Sequence, residues 1–314
     1  MISTGRSIAS KKAQKRQPQL TGRYSFTDFL FVCPAVLLLL VTTYYPIMDL
    51  IRISFTDWNL IKDSRNFVGL KNWIWLFTSP VGTTSLLNSL KVTAIYTMGH
   101  IGIVIVFGML MALIFKKLSK TYACMRAMIF IPRYIAMSTA GVIFLWMFNK
   151  DYGIINSCLS LFGFDKIGWV ENRTTAMISV LILSGWHSLG YGMMIYLSAM
   201  LGISKDYYEA ASLDGATGVQ AFRFITLPLL SPTTLFLFIT TFLSSMKVYQ
   251  SIDVLTSGGP YQATEVIVYY IYRLAFTDSR IDRASVVSIF FFLILLTVTA
   301  STLRITNKNV HYDA

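Results

Sequence analysis

Residues 86–115 read LLNSLKVTAIYTMGHIGIVIVFGMLMALIF, a stretch of thirty residues in which Lys91 is the single Lys, Arg, Asp or Glu. An α-helix rises about 1.5 Å per residue, so about 20 apolar residues cross the roughly 30 Å hydrocarbon core of a bilayer. The stretch is therefore long and apolar enough to be a transmembrane helix.

Five more stretches of similar composition follow or precede this one. Together they predict six spans, at residues 29–51, 86–115, 125–148, 174–200, 229–249 and 284–304. Of the 314 residues 54% are hydrophobic and 13% charged, whereas about a quarter are charged in a soluble domain. The predicted fold class is all-α and transmembrane, with a membrane domain over residues 28–308, a basic arm at 1–27 and a tail at 309–314.

The placement of the basic residues predicts how the chain is oriented. The net charge is +12, yet six of the Lys and Arg residues lie within residues 1–23, where there is no acid, and four more lie within residues 116–126. Basic segments that flank membrane spans stay on the cytoplasmic side. An even number of spans then places both termini in the cytoplasm, and no basic surface is left for a nucleic acid.

This orientation predicts which connections face each side. Residues 116–124 and 201–228 face the cytoplasm, and residues 52–85, 149–173 and 250–283 face outward. The outward segments are rich in Trp and Tyr, whose rings favour the headgroup level of a membrane. Residues 266–276 are accordingly predicted to form an interfacial helix.

The inward connection 201–228 contains the most specific motif of the chain. Residues 208–216 read YEAASLDGA, and residues 225–228 read ITLP. Ser204 can cap a short helix, Asp206 suits the positive end of its dipole, and Gly215 permits a sharp turn at its end. The segment therefore predicts two short helices on the cytoplasmic face, whose alanines let another protein approach the backbone closely.

This motif resembles the signature loop of the permeases of binding-protein-dependent ABC importers. The pattern is Glu-Ala-Ala, three residues, Gly, nine residues and Ile-x-Leu-Pro, and every fixed position matches. Other stretches, over about residues 25–308, resemble the carbohydrate branch of that family: SFTDW at 54–58, VGLKNW at 68–73, NSL at 88–90, IP at 131–132 and LTSGGP at 255–260.

The resemblance implies a six-helix, type I importer permease in a bacterial inner or plasma membrane. Its implied partners are a second, different permease chain, two copies of a cytosolic ATPase, an extracellular solute-binding protein and an oligosaccharide. It also implies that the inward loop is a coupling helix seated in a groove of the ATPase, with the residues Glu209, Ala210, Ala211, Asp214 and Gly215. The chain contains no phosphate-binding Gly-x-x-x-x-Gly-Lys-Ser/Thr loop, so we expect it to bind no cofactor and the partner ATPase to hold ATP and magnesium.

Polar side chains within the spans are candidates for the substrate pathway, because such groups usually face a cavity or each other inside a membrane. The candidates are Arg133, Trp186, His187, Ser188, Tyr191, Ser244, Ser245, Lys247 and Tyr249. Aromatic faces stack on the C–H surfaces of sugars, and hydroxyls and charges bind their oxygens. Alternative roles are packing between helices for Trp186 and Tyr191 and a hydrogen bond within the bundle for His187. For Lys247 the alternative is to reach the outer headgroups, and for Arg133 it is to bond backbone carbonyls at the kink predicted at Pro132.

Comparison with the larger permease subunit of the maltose transporter gives further expectations. Counting back from Glu209, Trp186 and Tyr191 match identical residues, and the positions of Tyr191, His187 and Ser188 are sugar contacts in that subunit. Ser245 also occupies a contact position. However, this chain has Arg133 where that subunit has a sugar-contacting tyrosine, and Val248 where it has an amide contact. The comparison therefore does not determine which sugar is carried.

The predicted function is the permease subunit of an ATP-driven carbohydrate importer, which is not itself an enzyme. Arg133, His187 and Lys247 would make the pathway cationic, so an acidic oligosaccharide or a sugar phosphate is an alternative substrate. Neither the three histidines nor the three scattered cysteines match a zinc signature, which argues against an intramembrane metalloenzyme. The sequence shows neither a filter-like loop nor two similar halves, which a channel or a secondary transporter would show.

Overall fold

The computed structural model describes residues 26–61 and 65–309. Most of the predicted arm, residues 1–25, and nearly all of the predicted tail, residues 310–314, lie outside the described residues. Within the described ranges the secondary structure is helical, and the only extended pairing is an isolated bridge between Thr56 and Phe67. The predicted all-α fold class is confirmed.

The chain divides into two units, residues 1–49 and residues 50–314. In the first unit, helix α1 (Phe26–Leu39) continues through a π-helical turn at Leu40–Tyr44 into helix α2 (Tyr45–Ser54), the first half of which lies in that unit. The stretch Phe29–Ser54 is long and apolar enough to cross a membrane.

The second unit contains the other helices. Its first seven are α3 (Lys71–Thr78), α4 (Pro80–Gly102), α5 (Gly108–Ile114), α6 (Lys120–Phe130), α7 (Met137–Met147), α8 (Ile154–Leu161) and α9 (Arg173–Leu201). The remaining ones are α10 (Lys205–Leu213), α11 (Gly218–Ala221), α12 (Leu227–Leu229), α13 (Ser231–Met246), α14 (Gln250–Leu255), α15 (Ile267–Tyr272) and α16 (Ile281–Asn309). A π-helical turn at Ile103–Phe107 joins α4 to α5 without a break.

Four helical stretches within the described residues are long and apolar enough to span a membrane without interruption. They are Phe29–Ser54, Pro80–Ile114, Arg173–Leu201 and Ile281–Thr302. Two more candidates are bent pairs: α6 and α7 meet at 101°, and the helical segment Gly218–Leu229 meets α13 at 59°. The number of spans is six if each bent pair counts as one.

The bend between α6 and α7 lies within the span predicted over residues 125–148, at Pro132, where the sequence predicts a kink. Pro132 follows the last turn of α6, where a 3-10 turn at Ile131–Tyr134 replaces the α-helix. Proline has no N–H to donate and its ring clashes with the carbonyl four residues earlier, so it kinks or breaks an α-helix, and here the helix ends. The chain extends at Ile135 and Ala136 before α7 begins.

Three apolar clusters hold the second unit together. The first joins α4, α7, α9 and α14 around Phe144, Phe148 and Leu183. The second joins α3, α4, α15 and α16 around Leu76 and Tyr270. The third joins α5, α9 and α13, and its members are Val104, Ala112, Met193, Tyr196, Leu197, Leu230 and Leu237.

The helix predicted at the membrane interface over residues 266–276 is present but is packed inside the protein. It consists of α15 and a π-helical turn at Arg273–Thr277, and Ile267 and Tyr270 are buried in the second cluster. The adjacent Glu265 is buried and accepts a hydrogen bond of 2.6 Å from Nε of Arg273. Burial raises the pKa of Glu265, and the arginine opposes that shift.

Gly190 of α9 lies where this helix crosses the end of α6. A Cβ atom at Gly190 would stand 2.4 Å from the carbonyl oxygen of Ile129 and 2.7 Å from Cα of Phe130. Small residues let helix backbones approach closely, and the resulting packing contributes to helix association in membranes, where lipid removes the hydrophobic driving force. Gly190 thus positions the broken span against α9.

We expect Gly190→Ala to lower the thermal stability of the purified protein, because the added methyl group must push two backbones apart. Overpacking of this kind costs about 1–3 kcal/mol. Gly102→Ala is the matched control, since a Cβ atom at Gly102 meets nothing within 4 Å. Equal melting temperatures for the two variants in detergent would contradict the close crossing.

Candidate functional site

A cavity of about 460 Å³ lies beside the bend between α6 and α7. Seven of the nine predicted pathway residues line it, namely Arg133, His187, Ser188, Ser244, Ser245, Lys247 and Tyr249. They come from the broken span, from α9 and from the C-terminal end of α13 and the residues that follow it. Segments far apart in sequence therefore converge on one polar space.

A second, smaller cavity of about 130 Å³ shares part of this lining. Arg133, Ser188 and Ser244 line both cavities, and Tyr191 lines the smaller one. Eight of the nine predicted residues thus line one of two cavities that share wall residues.

Trp186 is the predicted residue that lines neither cavity. Its ring packs on Phe144 of α7, with ring centroids 5.2 Å apart and planes tilted by 51°. The contact matches the packing role that the sequence left open for Trp186.

Two permanently charged side chains, Arg133 and Lys247, line the larger cavity, and both are exposed. The guanidinium of Arg133 lies over the ring of Tyr191 at 5.4 Å from its centroid, a cation–π arrangement. Neither cavity has an Asp or a Glu in its lining, as far as the described residues show. The lining therefore carries positive charge and no acid, although Asp253 interacts with the lining residue Tyr249.

His187 satisfies a backbone group that the bend leaves open. Its Nε2 lies 3.1 Å from the carbonyl oxygen of Ile135, in the extended stretch between α6 and α7. A carbonyl only accepts, so Nε2 carries the proton and donates. The imidazole therefore holds α9 to the broken span.

His100 belongs to the site although it was not among the predicted pathway residues. It is buried on α4, with Nδ1 2.7 Å from Oγ of Ser245 and Nε2 3.1 Å from Oγ of Ser188. In the neutral ring one nitrogen donates and the other accepts, so one serine hydroxyl accepts from the ring and the other donates to it. His100 lines both cavities and ties α4, α9 and α13 together.

A signal for His100 was present in the sequence, since an imidazole inside a 30-residue apolar stretch is a functional candidate in itself. What the sequence could not supply was the pair of serine partners, which lie 88 and 145 residues away along the chain.

The predicted coupling residues lie on and just after α10. The hydroxyl of Ser204 accepts a hydrogen bond from the backbone N–H of Asp206, as the sequence predicted for the helix start. At the other end, the N–H of Gly215 bonds to the carbonyl of Ser212, and that of Ala216 bonds to the carbonyl of Ala211. This is a Schellman turn, and Gly215 adopts the φ of +76° that it requires.

The exposed side of this turn is available to another protein. Glu209, Ala210, Asp214 and Gly215 are exposed, and Ala211 is half-buried. On the other side, the hydroxyls of Tyr208 and Thr226 are 2.9 Å apart and connect α10 to the segment that returns toward α13. Among the residues that the structure describes, no group of three or more His, Cys, Asp or Glu side chains could hold a metal.

We expect His100→Phe to lower the melting temperature of the purified protein by leaving the buried hydroxyls of Ser188 and Ser245 without a partner. Each unsatisfied buried polar group costs about 1–3 kcal/mol. His100→Asn, whose amide can donate and accept, should lose less. The triple variant with Ser188→Ala and Ser245→Ala should recover part of the loss. A phenylalanine variant as stable as wild type would contradict the network.

Comparison with known proteins places the chain in a family. The family model described as binding-protein-dependent transport system inner membrane component matches residues 104–310. The chain is 30% identical over 280 residues to the probable ABC transporter permease protein YurN of Bacillus subtilis, covering 88% of this chain and 94% of YurN. It is 30% identical over 287 residues to the sn-glycerol-3-phosphate transport system permease protein UgpA of Agrobacterium fabrum, covering 90% and 96%.

The fold is similar to a chain in the crystal structure of a bacterial ABC transporter that imports the acidic polysaccharide alginate. The TM-score is 0.78 at 22% identity, and the similarity covers 90% of this chain and 96% of that one. The family match, the identity to these permeases and the helical fold agree. The chain belongs to the binding-protein-dependent transport system inner membrane components and is a multi-pass transport permease.

Proposed function

We propose that the chain forms half of the translocation path of an ATP-driven carbohydrate importer. The observation that carries this proposal is the cavity of about 460 Å³ lined by serine hydroxyls, Tyr249, Gln250 and cationic groups between apolar helices. Sugars carry many hydroxyls that need hydrogen-bond partners once they leave water. Similarity to a permease for sn-glycerol-3-phosphate, a small polyol, supports the same class of cargo.

The other components follow from the family. We propose a second, different permease chain, a pair of ATPase subunits that bind ATP and magnesium, and an extracellular solute-binding protein, in a bacterial cell membrane. Both termini of this chain would lie in the cytoplasm, on the side of α10. The exposed Glu209, Ala210 and Asp214 support docking of α10 to the ATPase.

The proposed mechanism is alternating access. Closure of the ATPase subunits on ATP would push α10, and the connection from α10 through Tyr208 and Thr226 would carry that movement toward α13. Because α13 contributes Ser244 and Ser245 to the cavity, its displacement would change the cavity directly.

Gly215 offers a test of coupling. We expect Gly215→Val to reduce the sugar imported per ATP hydrolysed by at least about fivefold, because a left-handed backbone costs an L-residue about 1–2 kcal/mol and a β-branched one more. Gly215→Asn, which tolerates this conformation, should be milder. Gly218→Ala is the control, since Gly218 has open space and no positive φ. Unchanged stoichiometry in proteoliposomes for Gly215→Val would refute the coupling role.

A second candidate is an importer for an acidic carbohydrate. Arg133 and Lys247 favour it, since a carboxylate or phosphate would pair with them in a cavity whose lining has no acid. The similarity to UgpA agrees with this candidate as well, because UgpA is named for a phosphorylated cargo.

Uptake of neutral and acidic oligosaccharides by the reconstituted importer tests both candidates. If the chain is a carbohydrate permease, at least one of the two kinds of sugar must be taken up, and its uptake must require ATP. If the cargo is acidic, Arg133→Gln and Lys247→Gln should each reduce acidic uptake by at least about tenfold and spare neutral uptake, because a desolvated charge pair is worth more than a neutral contact. Lys166→Gln, in an exposed connection, is the charge-matched control. If the two variants reduce the uptake of neutral and acidic sugars equally, the acidic cargo is rejected, and the proposal of a carbohydrate importer still stands.

A further inference from the structure

A large cavity of about 900 Å³ lies at the opposite end of the helices from Glu265, apart from the substrate site. Three lysines, Lys116, Lys117 and Lys205, contribute to its lining, together with apolar side chains such as Leu113, Leu118 and Phe222. Neither the coupling role of α10 nor the proposed pathway uses this combination.

The position of the cavity relative to the spans is informative. Leu113 precedes the last residue of the span Pro80–Ile114, and Leu201, the last residue of the span Arg173–Leu201, also lines the cavity. Lys116 and Lys205 follow these span ends by two and four residues. The apolar walls therefore lie where the hydrocarbon ends, and the ammonium groups lie in the headgroup layer just beyond it.

The segments that carry the lysines are held in place. Nη1 of Arg126 donates to the carbonyl oxygens of Phe115 at 2.9 Å and of Lys117 at 3.1 Å, which fixes the connection between α5 and α6. On the other wall, the bond between Tyr208 and Thr226 fixes α10. The three lysines thus project from two anchored segments.

The cavity has no acidic counterpart of its own. No Asp or Glu of the described residues lines it, so an anion that enters it meets three lysines and no acid of the lining. A single phosphate beside the lysines would match that charge. A free phosphate would leave the apolar walls unexplained, whereas a phospholipid brings both an anionic headgroup and an acyl chain.

We propose that this cavity is a binding site for one anionic phospholipid, with its phosphate between Lys116, Lys117 and Lys205 and an acyl chain along Leu113 and Phe222. Basic pockets between helices at the membrane surface bind anionic headgroups in this way. The site bridges the connection after α5 and the coupling helix α10, and it stands whatever cargo the permease carries.

The test uses the assembled importer in nanodiscs of mixed phosphatidylglycerol and phosphatidylcholine, followed by native mass spectrometry of the lipids that remain bound. We expect wild type to retain phosphatidylglycerol, and the triple variant Lys116→Gln, Lys117→Gln, Lys205→Gln to retain at least about tenfold less, since each lysine near a membrane surface contributes a factor of about five. The triple variant Lys120→Gln, Lys150→Gln, Lys166→Gln removes the same charge from exposed lysines outside the cavity and should behave as wild type.

Several outcomes would overturn the proposal. Equal retention of phosphatidylglycerol by the two triple variants would mean that the cavity does not bind this lipid. If wild type retained phosphatidylcholine as well as phosphatidylglycerol, the lipid would be held by apolar packing alone. Displacement by millimolar inorganic phosphate would indicate a free-anion site. Loss of the ATPase from the cavity variant, with lipid retention unchanged, would assign the face to a protein partner. Lys→Arg at the three positions keeps the charge and should restore retention, which separates binding from misfolding.

Discussion

A backbone polar group that leaves a helix inside an apolar environment must find another hydrogen-bond partner, and the site of this permease is built around one such group. Pro132 follows the end of α6 within a predicted span, and the chain passes through a 3-10 turn and two extended residues before α7 begins at an angle of 101°. The carbonyl of Ile135 is freed by that break and accepts from His187. Irregular backbone at membrane depth is tolerated only where it is buried in protein or lines a cavity, and here it borders one.

The polar cavity exists because three other helices present small hydroxyl and imidazole groups at the level of the break. His100 on α4 joins Ser188 of α9 to Ser245 of α13, so hydrogen bonds connect three of the helices that form the wall. Gly190 brings α9 against the end of α6 at backbone distance. A larger residue at that crossing would separate the elements that carry Arg133 and His187. Packing and site chemistry therefore depend on the same few positions.

The opposite end of the molecule is organised by a turn. Gly215 closes α10 with a Schellman turn and leaves Glu209 and Asp214 exposed, while Tyr208 ties the helix back toward α13 through Thr226. A rigid element that is exposed on one side and anchored on the other can transmit a displacement. The lysine-lined cavity lies beside this element, so lipid and ATPase would act on neighbouring surfaces of it.

The sequence alone determined what depends on local properties. Apolar length predicted the helices, because burial in hydrocarbon needs little more than about 20 apolar residues, and the fixed spacing of Glu209 and Gly215 predicted the helix and turn that the structure contains. Only the tertiary structure decided which residues distant in the sequence contact each other. It showed that the kink expected at Pro132 is a bend of 101°, that the helix after Val266 is packed against α4 and α16, and that His100 meets serines 88 and 145 residues away. Contacts between distant residues depend on how helices cross, and helix crossing is set by close packing of side chains that no single stretch of sequence contains.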